Sequence, residues 1–209
     1  GVEAYLVDDL KDMIVNPKGQ HLNDRYVVFD LETTGFSAKS DKIIEIGAVK
    51  VENGKIIDRF STFVNPEIPI PFRIEKLTSI NDEMVIDAPK IEEILPKFME
   101  FCKDSVMVAH NSDFDMSFIE ANCKRQDLEC DFTVIDTVAM SRYLIIGLGR
   151  YKLDNVAKAL GIVLDHHHRA VDDAECTALI FLKLCKMLKA RGIDNLDELK
   201  QTGKAVKEH

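Results

Sequence analysis

The pattern of apolar and polar positions predicts a run of strands near the start of the chain. Residues 26–32 (YVVFDLE) are apolar up to an acidic end, which is typical of a central strand covered on both faces. Residues 42–64 form two further β-rich stretches on either side of Asn53 and Gly54, a dipeptide typical of a tight hairpin turn. These three strands are therefore expected to form a meander.

Later in the chain the pattern alternates between short strands and helices. Residues 105–110 (SVMVAH) and 132–136 (FTVID) predict two more strands, with an irregular, proline-containing crossing before them. A helix after the first of these strands is expected to have Ser112 or Asp113 as its N-cap. The predicted helices lie in residues 73–84 (with a turn), 88–102, 111–125, about 136–145, 152–160 and 170–190. Together, the predicted strands and helices indicate an α/β fold with a mixed five-stranded sheet and helices on both faces.

Composition favours one compact domain. The 209 residues are 46% hydrophobic, which suits a domain over residues 23–190, with the more polar residues 1–22 and 191–209 as linkers or an appended helix. No apolar run approaches the roughly 18 residues of a membrane span, and the N-terminus does not resemble a secretion signal. The five cysteines lack a C-x-x-C spacing, so we expect reduced thiols, a cytoplasmic location and no membrane partner.

The charge limits the kinds of nucleic-acid binding that are available. A formal net charge of −9 and a pI near 5.2 argue against a protein that holds nucleic acid mainly by neutralising phosphates. They allow an enzyme whose acidic residues bind divalent cations that then meet the phosphate.

Acidic residues lie where the predicted strands and helices end. Asp30 and Glu32 share one face of the first strand, about 6 to 7 Å apart along the backbone, and Asp115 lies in the first turn of a helix that follows a strand. His168 and Asp173 stand at the start of the last long helix. Each position alone fits a solvated strand end, a surface loop or a stabilised helix N-terminus. Because ligands gather at strand ends in α/β sheets, we expect these residues to form one site.

Three segments carry these residues in an order that resembles a known family. FDLETTG (residues 29–35), AHNSDFD (109–115) and HRAVDDA (168–174) resemble the motifs of the DEDDh, or DnaQ-like, 3′–5′ exonucleases, which have the ribonuclease H-like fold. The resemblance covers residues 25–188. The flanking GVEAYLVDD and HHRAVDDAECTA are similar to the exonuclease domain carried within PolC-type DNA polymerase III. Residues 1–22 and 191–209 would then lead into and out of the host polypeptide.

The resemblance implies a cofactor and a role for each motif residue. Two Mg²⁺ or Mn²⁺ ions, which an oxygen-only cluster selects over zinc, would be held by Asp30, Glu32, Asp115 and Asp173. Asp30 would bridge both ions, Glu32 and Asp173 would complete the ion that activates water, and Asp115 would hold the other largely through water. His168 would be the general base, since an imidazole with a pKa of about 6.5 accepts a proton near neutral pH.

The same resemblance places the 3′-terminal nucleotide beside the turn formed by Thr33, Thr34 and Gly35, for which a plain strand-to-loop turn is the alternative. Asn111 would either position the second motif or contact substrate. Leu77 and Thr78 are further candidates, in a stretch where the family usually has glycine at the position of Ser79. Phe36 and Phe114 are expected to pack in the core, with stacking on a base as the alternative.

The resemblance thus implies a proofreading exonuclease that removes nucleotides as 5′-monophosphates from single-stranded or frayed 3′ ends of DNA. Its partner would be the rest of the PolC polypeptide. Three alternatives stay open: an RNA-directed exoribonuclease of the same superfamily, a catalytically degenerate docking module, and a zinc-binding surface. The zinc surface would use His166, His167 and His168, although adjacent histidines converge poorly on one ion. His166 and His167 are also alternatives to His168 as the base.

Overall fold

A mixed sheet with helices on both faces forms the described part of the protein. The computed structural model describes residues 14–15, 25–163 and 169–193. The strands are β1 (Ile14–Val15), β2 (Arg25–Thr33), β3 (Ile43–Glu52), β4 (Lys55–Phe63), β5 (Val106–Ala109) and β6 (Val134–Asp136). The helices are α1 (Phe72–Thr78), α2 (Asp82–Val85), α3 (Ile91–Phe101), α4 (Ser112–Arg125), α5 (Thr137–Leu144), α6 (Leu153–Ala159) and α7 (Ala170–Ala190).

The sheet has the strand order β1-β6-β5-β2-β3-β4. Strands β2, β3 and β4 form the predicted antiparallel meander, while β2, β5 and β6 run parallel. The β3–β4 turn is made by Asn53 and Gly54 with φ values of 52° and 78°. Both are left-handed, as a two-residue hairpin turn with the twist of the strands requires. The α/β class and the mixed sheet are confirmed.

A sixth, two-residue strand extends the sheet beyond the five that the pattern predicts. Strand β1 pairs antiparallel with β6, with Ile14 opposite Ile135 and Val15 opposite Val134. Two residues are too few to show an alternating pattern in the sequence. The strand lies within residues 1–22, and the division of the chain into a domain with two flanking segments stays a prediction.

The two faces of the sheet carry separate hydrophobic clusters. Val28 and Val49 pack with Phe181 of α7 on one face, whereas Phe29 packs with Phe118 of α4 on the other. Side chains alternate along a strand, so every second residue of β2 and β3 faces α7. This alternation decides on which face the acidic residues of β2 lie.

The start of α4 differs from its prediction. Ser112 is already helical, and the N-cap position belongs to Asn111, which has a left-handed φ of 72° and whose side chain makes no capping hydrogen bond to the described residues. Oδ1 of Asp136, in β6, accepts hydrogen bonds from the backbone N–H of Asn111 at 2.9 Å and of Ser112 at 3.4 Å. The prediction of Ser112 or Asp113 as the N-cap is therefore wrong, because a distant strand supplies the capping oxygen.

All five cysteines lie among the described residues and are free thiols. Within residues 14–15, 25–163 and 169–193, no helix combines the length and the apolar character needed to cross a membrane.

Candidate active site

Three carboxylates converge at the end of β2. Asp30 and Glu32 follow Val28 on the face that α7 covers, and Asp173 lies in the first turn of α7. Each can present one carboxylate oxygen so that all three oxygens lie within 4.8 Å of one another. The structure therefore brings together residues of two motifs that are more than a hundred positions apart in the sequence.

Asp115 reaches the same strand from the opposite side of the cluster. It lies in the first turn of α4, is only 3% exposed, and its Oδ1 accepts a hydrogen bond from the backbone N–H of Leu31 at 3.3 Å. Asp115 is not one of the three residues whose oxygens meet within 4.8 Å. Its charge nevertheless adds to the repulsion on Asp30.

The acidic residues raise one another's pKa values. Burial raises the pKa of Asp30 well above its ordinary value, with the charges of Asp115, Glu32 and Asp173 adding to the effect. Burial is also the largest cause that raises the pKa of Glu32 to about 7, followed by the charge of Asp173. The pKa of Asp115 is raised well above its ordinary value by burial. Without a cation, therefore, the cluster resists full ionisation near neutral pH.

The residues fit a divalent metal centre. Oδ2 of Asp30 is buried and has no hydrogen-bond partner among the described residues, and a buried polar atom left in this way is unfavourable. A cation beside Asp30, Glu32 and Asp173 would satisfy this oxygen and offset the mutual repulsion. Because the donors are all carboxylate oxygens, they suit a hard ion such as Mg²⁺ or Mn²⁺.

A fifth acidic residue, Glu45, belongs to this region and was missed from the sequence. It lies directly opposite Glu32 in β3 and is 2% exposed, and burial raises its pKa. Its Oε1 accepts a hydrogen bond from the backbone N–H of Ala170 at 3.0 Å. The available signal was a single acid within the apolar run IIEIG, since buried acids are rare unless paired.

Comparison with known proteins assigns the family. The RNase_T family, described as exonuclease, matches residues 27–181 of the chain. The chain belongs to this exonuclease family. It is 51% identical over 199 residues to the PolC-type DNA polymerase III of Caldanaerobacter subterraneus subsp. tengcongensis, a match that covers 95% of the chain and 14% of the relative. The corresponding protein of Clostridium perfringens is 50% identical over 202 residues, with the same coverage.

Solved structures of exonucleases share the fold. Exonuclease X, determined in complex with 5′ overhanging duplex DNA, is 27% identical with a TM-score of 0.64, over 83% of this chain and 98% of its own. The nuclease domain of 3′hExo, a DEDDh family member bound to rAMP, has a TM-score of 0.68 at 21% identity, over 82% of this chain and 94% of its own. The exonuclease resemblance found in the sequence motifs is confirmed.

The hydroxyls of Thr33 and Thr34 make hydrogen bonds within the segment that leaves β2. Thr33 Oγ1 donates to the carbonyl oxygen of Gly35 at 2.6 Å, and Thr34 Oγ1 donates to Asp41 Oδ1 at 3.2 Å. A Cβ on Gly35 would lie 2.4 Å from Asp41 Oδ2, so a larger residue here would have to displace the Asp41 carboxylate. Contacts of Thr33, Thr34 and Gly35 with a nucleotide stay a prediction.

The two candidate substrate contacts in α1, Leu77 and Thr78, differ in how their side chains are placed. Leu77 is 71% exposed, whereas Thr78 Oγ1 donates to the carbonyl oxygen of Ile74 at 2.8 Å. Ser79 is the C-cap of α1 with a left-handed φ of 62°, a position that favours glycine. The departure from the family pattern therefore places a serine where the backbone conformation suits glycine better. Leu77 and Thr78 remain candidate substrate contacts.

Two aromatic residues near the site behave differently from each other. Phe36 is 69% exposed, so its predicted place in the core is wrong; the chain has already left the sheet where Phe36 stands. Phe114 is half-buried and packs against Phe118, with ring centroids 5.2 Å apart. The Phe36 and Phe114 rings lie 6.3 Å apart, and stacking of either ring on a base stays a prediction.

Asn111 lies at the rim of a neighbouring groove of about 620 Å³, which His110, Asp136 and Tyr151 also line. The side chain of Asn111 is exposed, while its backbone N–H is held by Asp136. Both roles expected for Asn111, a substrate contact and positioning of the second motif, stay predictions.

The three consecutive histidines, His166, His167 and His168, lie outside the described residues. The description resumes at Arg169, directly before α7. The assignment of His168 as general base, and the alternatives to it, stay predictions.

Proposed function

We propose that this chain is a divalent-metal-dependent 3′–5′ exodeoxyribonuclease that removes the terminal nucleotide of a frayed 3′ end as a 5′-monophosphate. The observation that supports it is the convergence of Asp30, Glu32 and Asp173 within 4.8 Å, with Asp115 bound to the same strand. The pKa values of Asp30 and Glu32 are raised by burial and by repulsion between carboxylates, and a bound cation would offset both effects.

Each residue has a role in hydrolysis of the last phosphodiester. Asp30, Glu32 and Asp173 would hold one ion, and Asp115 would contribute to a second beside Asp30. When bound, two such ions would stabilise the attacking and leaving oxygens of an in-line displacement. His168 would take the proton of the attacking water as the new P–O bond forms. The bond to the 3′ oxygen of the preceding nucleotide breaks and that oxygen takes a proton from water, which gives a 3′ hydroxyl and a free 5′-monophosphate.

The proposed substrate is DNA at a replication terminus. The relatives at about half identity are PolC-type DNA polymerase III chains, and the chain spans 14% of their length. The proposal therefore includes the rest of such a polypeptide as partner and a cytoplasmic location. Mispaired ends would be preferred because unpairing costs least at a mismatch, and the terminal nucleotide must leave the duplex to reach a site at the end of β2.

The metal-dependent activity is tested with 5′-labelled single-stranded DNA in Mn²⁺, Mg²⁺ or EDTA. We expect stepwise shortening from the 3′ end with either metal, none in EDTA, and a loss of roughly 10²-fold or more in Asp30→Ala. Asp58→Ala is the matched control, since the exposed Asp58 only accepts a bond from its neighbour Arg59 in the described structure. Undiminished cleavage by Asp30→Ala, or cleavage in EDTA, would contradict the proposal.

The choice of substrate is tested by comparing three ends: a 3′-mismatched primer, a matched primer and a short RNA oligomer. We expect the mismatched DNA to be shortened faster than the matched DNA, and the RNA to be the poorest substrate. Faster cleavage of RNA would instead support an exoribonuclease of the same superfamily. Binding without cleavage of any substrate would support a docking module.

A further inference from the structure

Two residues of β3, Glu45 and Gly47, contact the first turn of α7 directly. We propose that this pair, which we term the β3 seat, positions Asp173 for metal binding by fixing where α7 begins on the sheet. Glu45 is then a positioning residue and not a metal ligand. The catalytic consequence of the β3 seat rests on the proposed function, whereas its structural role can be tested without activity.

Gly47 sets the distance between the helix and the sheet. A Cβ built on Gly47 would lie 2.1 Å from the backbone N of Val171 and 2.2 Å from the carbonyl carbon of Ala170. The backbones of β3 and α7 are therefore in direct contact, and no other amino acid fits without displacing the helix. Gly47 stands directly opposite Asp30 in the sheet, so this close contact with α7 lies beside the candidate metal ligand.

Glu45 fixes the helix along and around its axis. The backbone N–H of Arg169 is satisfied within the turn by Asp172 Oδ2 at 3.1 Å, whereas that of Ala170 donates to Glu45 Oε1 at 3.0 Å. The first N–H groups of a helix have no partner in the preceding turn, and a carboxylate is favoured there. Glu45 therefore supplies from the sheet what α7 lacks.

The carboxylate of Glu45 makes a hydrogen bond through one oxygen and an ion pair through the other. Oε1 accepts from Ala170, and Oε2 lies 3.7 Å from Nη1 of Arg169. Among the described residues, Glu45 is not part of the group whose oxygens meet within 4.8 Å. These contacts make it a residue that holds the helix, even though it lies opposite the candidate ligand Glu32.

The β3 seat acts on Asp173 through a single helical turn. Asp173 follows Ala170 by three residues, so a displacement of the helix start moves its carboxylate by a similar distance. The same segment continues backwards from Arg169 to His168 in the sequence. A misplacement of about 1 Å in such a site can cost roughly 10²-fold in rate, and residues that support metal ligands typically contribute about 10- to 100-fold in affinity.

The hydrogen bond is tested with Glu45→Ala and Glu45→Gln. In Glu45→Ala we expect Mn²⁺ affinity, measured by calorimetry without substrate, to fall about 10- to 100-fold, and the Ala170 amide to exchange hydrogen faster. Glu45→Gln keeps an oxygen that can accept from Ala170, so its Mn²⁺ affinity should stay within about threefold of wild type. This change is smaller than the usual loss when a residue that supports a metal ligand is removed. Glu175→Ala is the control: it removes the exposed ion pair of α7 with Arg59 and should change neither quantity.

Gly47→Ala tests the close approach independently, in case Glu45→Ala fails to fold. We expect it to weaken Mn²⁺ binding and increase exchange at the start of α7, whereas Gly149→Ala, with no described atom within 4 Å of the added Cβ, should do neither. The proposal is overturned if Glu45→Ala or Gly47→Ala folds and binds Mn²⁺ like wild type, or if Glu45→Gln is as damaging as Glu45→Ala. A wild-type chain without nuclease activity, but with exchange at Ala170 that depends on Glu45, would refute the proposed function and support the β3 seat.

Discussion

Asp30 is the residue at which stability and function conflict most directly. The apolar run before it places its side chain on the covered face of β2, where burial and four neighbouring carboxylates raise its pKa well above the ordinary value. Its Oδ2 is buried without a hydrogen-bond partner in the described residues. Such an arrangement costs folding free energy, and it persists in proteins where the site gains function from it.

Asp30→Asn should therefore stabilise the metal-free protein and inactivate it. The amide cannot ionise and can donate to the neighbouring carboxylates, so it avoids the cost of burying an ionisable carboxyl among other acids. We expect unfolding in EDTA to become less favourable by about 1 to 3 kcal/mol. Exonuclease activity in Mn²⁺ should fall roughly 10²-fold or more, since a neutral amide is a poor ligand for a hard cation. Thermal melts in EDTA and single-stranded DNA cleavage measure the two effects. A lower melting temperature for Asp30→Asn in EDTA would show that repulsion does not dominate at this residue.

His168 carries the second prediction at this scale. From its place in the H-x-A-x-x-D spacing, we expect His168→Ala to lower kcat by roughly 10²-fold while the melting temperature changes little, because a general base contributes to the reaction and not to packing. His166→Ala and His167→Ala are matched controls in the same segment. If either control loses as much activity and His168→Ala is nearly neutral, the base has been assigned to the wrong histidine.

At the scale of elements, one carboxylate joins the starts of two helices. Asp136 Oδ1 accepts from the backbone N–H of Asn111 and Ser112 at the start of α4, and from Val138 at the start of α5 at 3.0 Å. Strand β6 thereby fixes the position of α4, whose first turn carries Asp115. The contact links the order of the strands to the placement of a candidate metal ligand.

Asp136→Ala should lower the free energy of unfolding by about 1 to 2 kcal/mol, the usual range for losing a helix cap. The loss should come at the upper end because two helices lose a cap together. Urea denaturation monitored by circular dichroism measures it, with Asp58→Ala as the control, since Asp58 accepts from the adjacent Arg59 N–H on an exposed strand. Equal stability of the two variants would mean that solvent replaces the cap at no cost.

The elements that local pattern could predict are those whose apolar residues repeat over several turns or alternations. Strand β2, the Asn53–Gly54 hairpin and helix α7 lie where the sequence indicates, because burial of a face or a stripe leaves its period in the chain. The N-cap of α4 was missed because its partner Asp136 is 25 residues from Asn111. Strand β1 was missed because two residues have no period.

The residues of the site also differ in whether local sequence or tertiary contacts determine their role. The order of acids in the three segments was enough to predict that Asp30, Glu32 and Asp173 would meet, since residue type and element ends can be read locally. Glu45 could not be assigned in this way, because its function depends on the pairing register of β3 with β2 and on where α7 rests. Likewise, the exposure of Phe36 follows from how the chain leaves the sheet.

At the scale of the whole molecule, the excess of negative charge is partly concentrated in one buried cluster. The chain has a net charge of −9, and burial and mutual repulsion raise the pKa values of Asp30, Glu32, Glu45 and Asp115. A cation bound there would supply the charge that the fold lacks and would bind the folded state in preference to the unfolded one. Stability, pH and metal concentration should therefore be coupled in this protein.

In the metal-free protein, stability should decrease as the pH rises. The pKa of Glu32 is about 7 in the folded state against an ordinary value of 4.5, so the folded state holds a proton that the unfolded state releases. The resulting stabilisation is full below about pH 4.5 and is lost as the pH rises through about 7. In EDTA, the melting temperature should therefore fall between pH 5.5 and pH 8, in the direction set by this shift.

Mn²⁺ should reverse this loss, because it binds the ionised carboxylates that predominate at the higher pH. At 100 times its dissociation constant, the ion would stabilise the folded state by up to about 2.7 kcal/mol, and the difference between EDTA and Mn²⁺ melts should be larger at pH 8 than at pH 5.5. Asp30→Asn provides the control, since it removes one ligand and should reduce the response to Mn²⁺ at both pH values. Superimposed melts of the wild-type chain in EDTA and in millimolar Mn²⁺ at pH 8 would contradict a metal centre at the end of β2, because no cation could occupy that cluster without stabilising the fold that creates it.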